Sequence, residues 1–356
     1  MGLRCNNIET GEDMKVGNLS QTVWKRSVLK QLHTERGESL LKISAAEPCS
    51  AFLAGEEGIS VTASYSVSGG SANLGIYAVV GAVNHLASRG AEPIGIRAGI
   101  LFPESTEEKE VKALAGKMEE CCAGMQIELA GIRAEVNPAV RQICIQAEAF
   151  GAAKGTGLYQ AKHIRPGQDI VLCGYIGLEG TLRILDEREA QLQQRFVPAF
   201  LCQTKELRSE MTALETLRAV REKERSGSMQ ISVVQQIGSG GIFAALWETA
   251  EAAGVGLNVD MRKMSVRQET VEICEYYHLN PYQMTSAGSF LIFTEKGEEL
   301  IEILETGGAR AVRLGSATAE NARVITSGSE QRYLDRPAPD ELMLWWKREL
   351  ESKAPL

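Results

Sequence analysis

One stretch of this chain is suited to meet an anion. Gln236, Ile237, Gly238, Ser239, Gly240 and Gly241 fall between an expected strand, 229–236, and an expected helix, 242–253. Glycines there bare backbone N–H groups, and a helix N-terminus adds partial positive charge, so a small anion can rest on the loop. The spacing is neither a Walker loop nor GxGxxG, and on pattern alone a tight strand-to-helix turn explains it equally well. Other chemistry is thinly supplied. His33, His85, His163 and His278 stand far apart without an HxxxH pair, which argues against a metal site built from them. There is no GxSxG nucleophile motif. The eight cysteines form no CxxC, and the adjacent Cys121 and Cys122 have poor zinc spacing. They read as reduced core thiols, Cys49 included, since it follows Pro48 with no evident histidine partner. Aspartate occurs only at positions 13, 169, 186, 260, 335 and 340, so any Mg²⁺ site in the first half must do without the short carboxylate such sites use.

The elements that must hold these residues divide into two groups. Ser20 can cap a helix over 20–32. A strand at 59–63 precedes a helix at 73–88 rich in Gly and Ala, the mark of close backbone packing; Gly90 and Pro93 end it. A strand at 94–102 follows, then a helix at 106–123 whose first turn Thr106 and Lys109 bracket, then strands at 126–129 and 140–150. This order predicts an α+β domain with helices on one face of a mostly antiparallel sheet. Residues 151–157 read as a hinge. A strand at 169–174 opens a second domain, with helices expected at 180–195, 205–220, 242–253, 266–278 and 296–306 and a strand at 289–293. Pro337 and Pro339 isolate an amphipathic terminal helix at 341–351 that carries Trp345 and Trp346.

The chain has 356 residues, a length for about two domains. Hydrophobic residues at 44% exclude a disordered chain, and a net charge of −8 without a basic stripe excludes a nucleic-acid backbone as partner. No apolar run is long enough for a membrane span, and no signal peptide is evident, so the cytoplasm is the expected location.

The glycine loop runs on into Gly238–Gly256 (GSGGIFAALWETAEAAGVG), which resembles the second-domain signature of the AIR synthase (PurM-like) superfamily. The similarity continues through 266–274 (VRQETVEIC), 279–282 (LNPY) and 286–289 (SAGS). In the first half, 14–19 (MKVGNL) resembles the family's opening strand and 83–93 (VNHLASRGAEP) its "VNDLASxGAEP" helix end; 169–180 matches the start of its second domain. The nearest branch resembles HypE-like hydrogenase maturation factors. The resemblance implies a two-domain α+β fold, over 14–157 and 158–336, with a loose segment at 1–13 and a terminal helix and tail at 337–356. It further implies a homodimer whose first-domain strands form a shared barrel, and a second domain of ferredoxin-like character. Working members place ATP in a cleft between domains, with Mg²⁺ on aspartates.

Against that pattern the acidic slots are changed. "GEDCAV" reads Ala46, Glu47, Pro48, Cys49; "TTDP" places Ala63 in the aspartate slot; "NDLA" keeps Asn84 but has His85; "GGHTEV" puts Ile132 or Arg133 at the histidine and keeps Glu135; "DVTEGG" reads Gln236 to Gly241. Mg²⁺ needs hard oxygen ligands, and phosphoryl transfer rests on that electrostatic clamp. The HypE branch also carries its carbamoyl group on a C-terminal cysteine, whereas none follows Cys274 here. The expectation is a pseudoenzyme with no cofactor, which binds a small anionic ligand or a metalloenzyme-maturation partner through Glu47, Asn84, His85, Arg133, Glu135, Gln236, Gly238, Ser239, Gly240 and Gly241. Two alternatives stand beside it: an ATP- and Mg²⁺-dependent enzyme using Glu47, Glu92 and Glu135, or a new activity using Arg133 and His85.

Overall fold

In the computed structural model, which describes residues 16–44, 47–54, 58–154 and 158–351, alternation of buried and exposed residues builds the first sheet. Its elements in chain order are α1 (Gln21–Ser27), β1 (Cys49–Ala54), β2 (Gly58–Gly69), α2 (Leu74–Ala87), β3 (Glu92–Phe102), α3 (Glu108–Gly124), β4 (Glu128–Val136) and β5 (Ile143–Lys154). The strand order is β1-β2-β5-β3-β4, antiparallel except for the β3–β4 pair. The inward residues of β5 (Ile143, Ile145, Ala147, Ala149) are buried, and α2 covers them. Small side chains let α2 lie close: a Cβ on Gly81 would overlap the Tyr65 ring of β2.

The second group comprises β6 (Asp169–Cys173), α4 (Leu178–Leu192), α5 (Pro198–Glu206), α6 (Leu214–Arg225), β7 (Ile231–Gln236), α7 (Gly241–Ala253), β8 (Gly256–Asp260), α8 (Gln268–Tyr277), β9 (Phe290–Thr294), α9 (Gly297–Thr306), β10 (Ala311–Thr318), β11 (Arg323–Ser327), β12 (Glu330–Tyr333) and α10 (Glu341–Glu351). Its sheet runs β12-β11-β8-β10-β6-β9-β7. Central β6 and β9 are buried on both faces, so they read as continuous apolar runs. One face packs toward the first domain: a single apolar cluster contains Val61, Leu86 and Ile96 together with Val171, Leu214, Phe290 and Leu300. The other face packs on α7.

Several expectations are corrected. The described part of the expected opening strand, 16–19, holds a bend at 16–18 and no strand. The expected helix at 205–220 breaks at Thr212, because α5 ends in a 3-10 turn (Leu207–Met211) before α6 begins. The first turn of α3 is closed by Glu110, whose carboxylate accepts the Glu107 N–H at 2.7 Å, and not by Thr106 and Lys109. Strands β1, β8, β10, β11 and β12 had no counterpart in the sequence reading. Cys202 is exposed, unlike the buried Cys49, Cys122, Cys173 and Cys274. Residues 151–154 of the expected hinge are the end of β5, while its remainder (155–157), the expected loose segment 1–13 and the last residues, 352–356, lie outside the described residues. No helix among the described residues is long and apolar enough to cross a membrane.

The terminal helix α10 packs on α4 and α8: Leu342, Trp345 and Trp346 join Ile184, Leu185, Ile273 and Cys274 in one cluster. Arg188 lies over both indoles and bonds Glu349 at 2.7 and 2.8 Å. Trp345 is buried, so Trp345→Ala should lower the unfolding free energy by roughly 3–5 kcal/mol, read as a reduced urea midpoint.

Candidate functional site

A cavity of about 520 Å³ opens between the two sheets. Asn18, Pro48, Ser64, Tyr65 and His85 line it from the first domain, and Arg183, Gln235, Gln236, Gly238, Ser239, Glu248, Thr285, Asp340 and Met343 from the second. The structure therefore brings together His85, Gln236, Gly238 and Ser239 of the residues picked from the sequence.

The others lie elsewhere. Glu47 sits beside the cavity but is tied to Arg89, whose Nε donates to Glu47 Oε1 at 2.9 Å; Arg89 Nη1 reaches the Val234 carbonyl of β7 at 2.9 Å. Asn84 is fully buried: its Nδ2 donates to the Met211 carbonyl at 2.8 Å and its Oδ1 accepts the Ala213 N–H at 3.3 Å. It fastens α2 to the turn before α6 and faces no ligand. Arg133 and Glu135, on β4, line an adjoining groove of about 510 Å³ along the open face of the first sheet, which shares Ser66, Arg183 and Met343 with the cavity. Glu92 pairs with Arg218. The carboxylates nominated for metal binding thus do not converge.

The glycine loop is shaped as expected, with an occupant the sequence reading did not supply. Gly240 and Gly241 have φ of +83° and +67°, a region that favours glycine. The Gly240 N–H donates to Asp340 Oδ2 at 2.7 Å, and Asp340 Oδ1 accepts the Leu342 N–H at 2.8 Å. Asp340 caps α10 while sitting at the N-terminus of α7, so the anion at this loop is the chain's own carboxylate. The signal was present as an Asp directly before the terminal helix. Burial pushes the Asp340 carboxyl up to about 7 against the pull of those two N–H groups.

Sequence reasoning also missed the polar face of α4. Glu179, fully buried, accepts from Tyr65 Oη at 2.7 Å and Thr285 Oγ1 at 2.6 Å, and pairs with Arg183 at 3.4 Å. Arg183 Nη2 donates to the Ser68 carbonyl at 2.9 Å. One turn on, Asp186 accepts from Tyr77 Oη, Asn73 Nδ2 and Arg208 Nη2, and Glu187 accepts the Gly70 N–H. Positions 179, 183, 186 and 187 share one helix face, the one turned to the first domain.

Two further groups set the cavity's electrostatics. Burial, then the Arg89 charge, lowers His85 to about 4, so its ring is neutral at pH 7; it stands edge-on to Tyr65 at 5.4 Å. Burial raises Glu248, on α7, to about 7. The site can thus accept hydrogen bonds and hold a neutral or positive guest more readily than a polyanion.

Comparison with known proteins agrees with this architecture. The profile "AIR synthase related protein, C-terminal domain" matches residues 165–327 and the corresponding N-terminal domain profile matches 56–153. Carbamoyl dehydratase HypE of Rhodobacter capsulatus is 26% identical over 279 residues, which cover 76% of this chain and 78% of that protein. The structure of E. coli HypE, a hydrogenase maturation protein, superposes with a TM-score of 0.66 at 19% identity, covering 78% of this chain and 86% of that one. A chain of a HypE–HypF complex gives 0.63 at 21%, covering 81% and 93%. At these identities the structural likeness concerns the fold.

The Glu248 carboxyl is still neutral in the folded chain at pH values where the unfolded chain has ionised it. Its contribution to stability is therefore full below about 4.5 and lost as pH rises through about 7. Thermal unfolding from pH ~4.5 to ~8 should show the unaltered protein losing stability relative to Glu248→Gln across that window.

Proposed function

This chain belongs to the AIR synthase related protein family, and we propose that within it the protein is a HypE-like member that works by binding, without Mg-ATP turnover, in metalloenzyme maturation. The observation that carries the reading is the Asp340 carboxylate on the Gly240 N–H. A nucleotide phosphate approaching the loop would find that N–H already bonded to the Asp340 side chain. The rest of the donor set points the same way. Pro48, neutral His85 and Gln236 line the cleft, while Glu47, Glu92 and Glu135 are paired or face outward. This set does not fit a divalent cation with a triphosphate, and we assign the chain no cofactor.

The same internal carboxylate disfavours a small anion at the loop, which leaves a protein partner and a non-anionic guest. HypE–HypF contact in a relative is a precedent for a partner. The reading extends to assembly. Phe52, Leu53, Ile94, Ile132 and Val136 are exposed on the first domain, and a second copy closing its sheet into a shared barrel would cover apolar surface there. The second domain, on this reading, keeps ferredoxin-like character.

Calorimetric titration of Mg-ATP should give no Mg²⁺-dependent heat, and ADP release should stay at the buffer rate. Metal-dependent binding with turnover would instead establish the alternative, an ATP-driven enzyme of the HypE or AIR synthase type. Sedimentation should give a dimer; a monomer at micromolar concentration removes the barrel.

A further inference from the structure

The glycine loop already holds a carboxylate, and the chain itself supplies it. Asp340, in the strap between Pro339 and α10, is 2% exposed. Its Oδ2 accepts the Gly240 N–H at 2.7 Å and its Oδ1 the Leu342 N–H at 2.8 Å. One carboxylate thus closes the N-termini of two helices, α7 and α10, with one oxygen for each donor.

The strap is fitted over the loop. A Cβ on Gly240 would lie 3.5 Å from the Ala338 carbonyl oxygen, and one on Gly17 would lie 3.6 Å from Pro339 Cα. Gly238, Ser239 and Asp340 all line the interdomain cavity, and a Cβ on Gly238 would meet nothing within 4 Å. The cradle therefore borders the cavity on its open side. Two charged groups of α4 act on it: the Arg183 guanidinium favours negative charge there and the Glu179 carboxylate opposes it. Glu179 is itself met by Tyr65, Thr285, the Ala287 N–H and Arg183. Without the Asp340 side chain, two buried N–H groups would lose their acceptor, and each is a donor that folding must satisfy.

We propose that Asp340 is a built-in ligand, an autoinhibitory contact that keeps a small carboxylate-bearing molecule off the Gly240 and Leu342 N–H groups. Tethered beside its donors, it acts at an effective concentration that a free carboxylate in solution does not match. The ligand class is a monocarboxylate, because the two N–H groups take the two oxygens of a single carboxylate. This deepens the reading above, in which Asp340 blocks the loop, and rests on it.

The test is thermal unfolding of the full-length Asp340→Ala chain at about pH 8, where the Asp340 of the unaltered protein, which burial holds up to about 7, is ionised. Asp340→Ala should melt below the unaltered protein. Sodium formate, which matches the group removed, should recover at least half of that loss, saturably, with half-effect at roughly 1–100 mM. Formamide, its neutral isostere, and sodium chloride at equal ionic strength should recover none of it. The unaltered protein and Asp340→Asn, whose side chain still fills the cradle, should respond to formate no more than to chloride. Were Asp340→Ala unfolded in chloride, the same comparison is read as the return of a cooperative transition in formate. No recovery by formate, equal recovery by formamide or chloride, or an equal formate response in the unaltered protein overturns the proposal. Turnover of Mg-ATP by the unaltered protein would overturn the non-catalytic reading together with this one. Failure of formate while Mg-ATP stays silent removes the built-in ligand alone.

Discussion

A charge buried between two domains must be met there by an opposite charge or by hydrogen bonds, and helix α4 shows how far that requirement reaches. Glu179, Arg183, Asp186 and Glu187 lie on one side of it, and each finds its partner in the first domain or in the seam itself. Tyr65, Ser68, Gly70, Asn73 and Tyr77 answer from β2, the loop after it and α2. Arg89 makes the reciprocal reach, from the end of α2 to the Val234 carbonyl of β7. Such bonds have direction, so they fix the register of one domain on the other where apolar contact alone would let it slide. The cavity has its shape because this register is fixed: its walls come from both sides of the seam.

The glycine loop separates what a fold preserves from what its chemistry needs. The backbone of Gly240 and Gly241 keeps its left-handed turn, and a Cβ on Gly241 would collide with the chain around Tyr282 and Met284. That geometry serves packing whether or not a ligand arrives. The donor it exposes is answered from a hundred residues downstream by Asp340. A segment that begins as the cap of a surface helix thereby becomes part of the cavity wall, and Leu342 and Met343 follow it in.

The parts of this fold legible in the sequence are those with strong local signals. Helix α7 opens on an apolar run, Ile242 to Trp247, and is bounded by glycines at both ends, and α10 is set off by prolines and matches its expected bounds. Strands β8, β11 and β12 escaped because they are only four or five residues long, and β10 because it pairs with β6, far up the chain, and a bulge breaks its alternation. The break between α5 and α6 escaped because helical periodicity carries across it. At the site, His85, Gln236, Gly238 and Ser239 were legible through motif position. Arg133 and Glu135 lie on the open face of the sheet, in the groove that adjoins the cavity, a matter of pairing that a single strand does not reveal. Tyr65, Glu179, Glu248 and Asp340 become neighbours of one cavity only after the domains have met.

The apolar cluster that runs from α2 and β5 into β6, β9 and α9 has a mechanical consequence. A jaw-like swing of one domain would tear a shared hydrocarbon interior and strip the α4 carboxylates of their partners at the same stroke. A guest reaching the cavity therefore enters along the open seam and not by parting the domains. Heating the protein should find the two halves melting as one body.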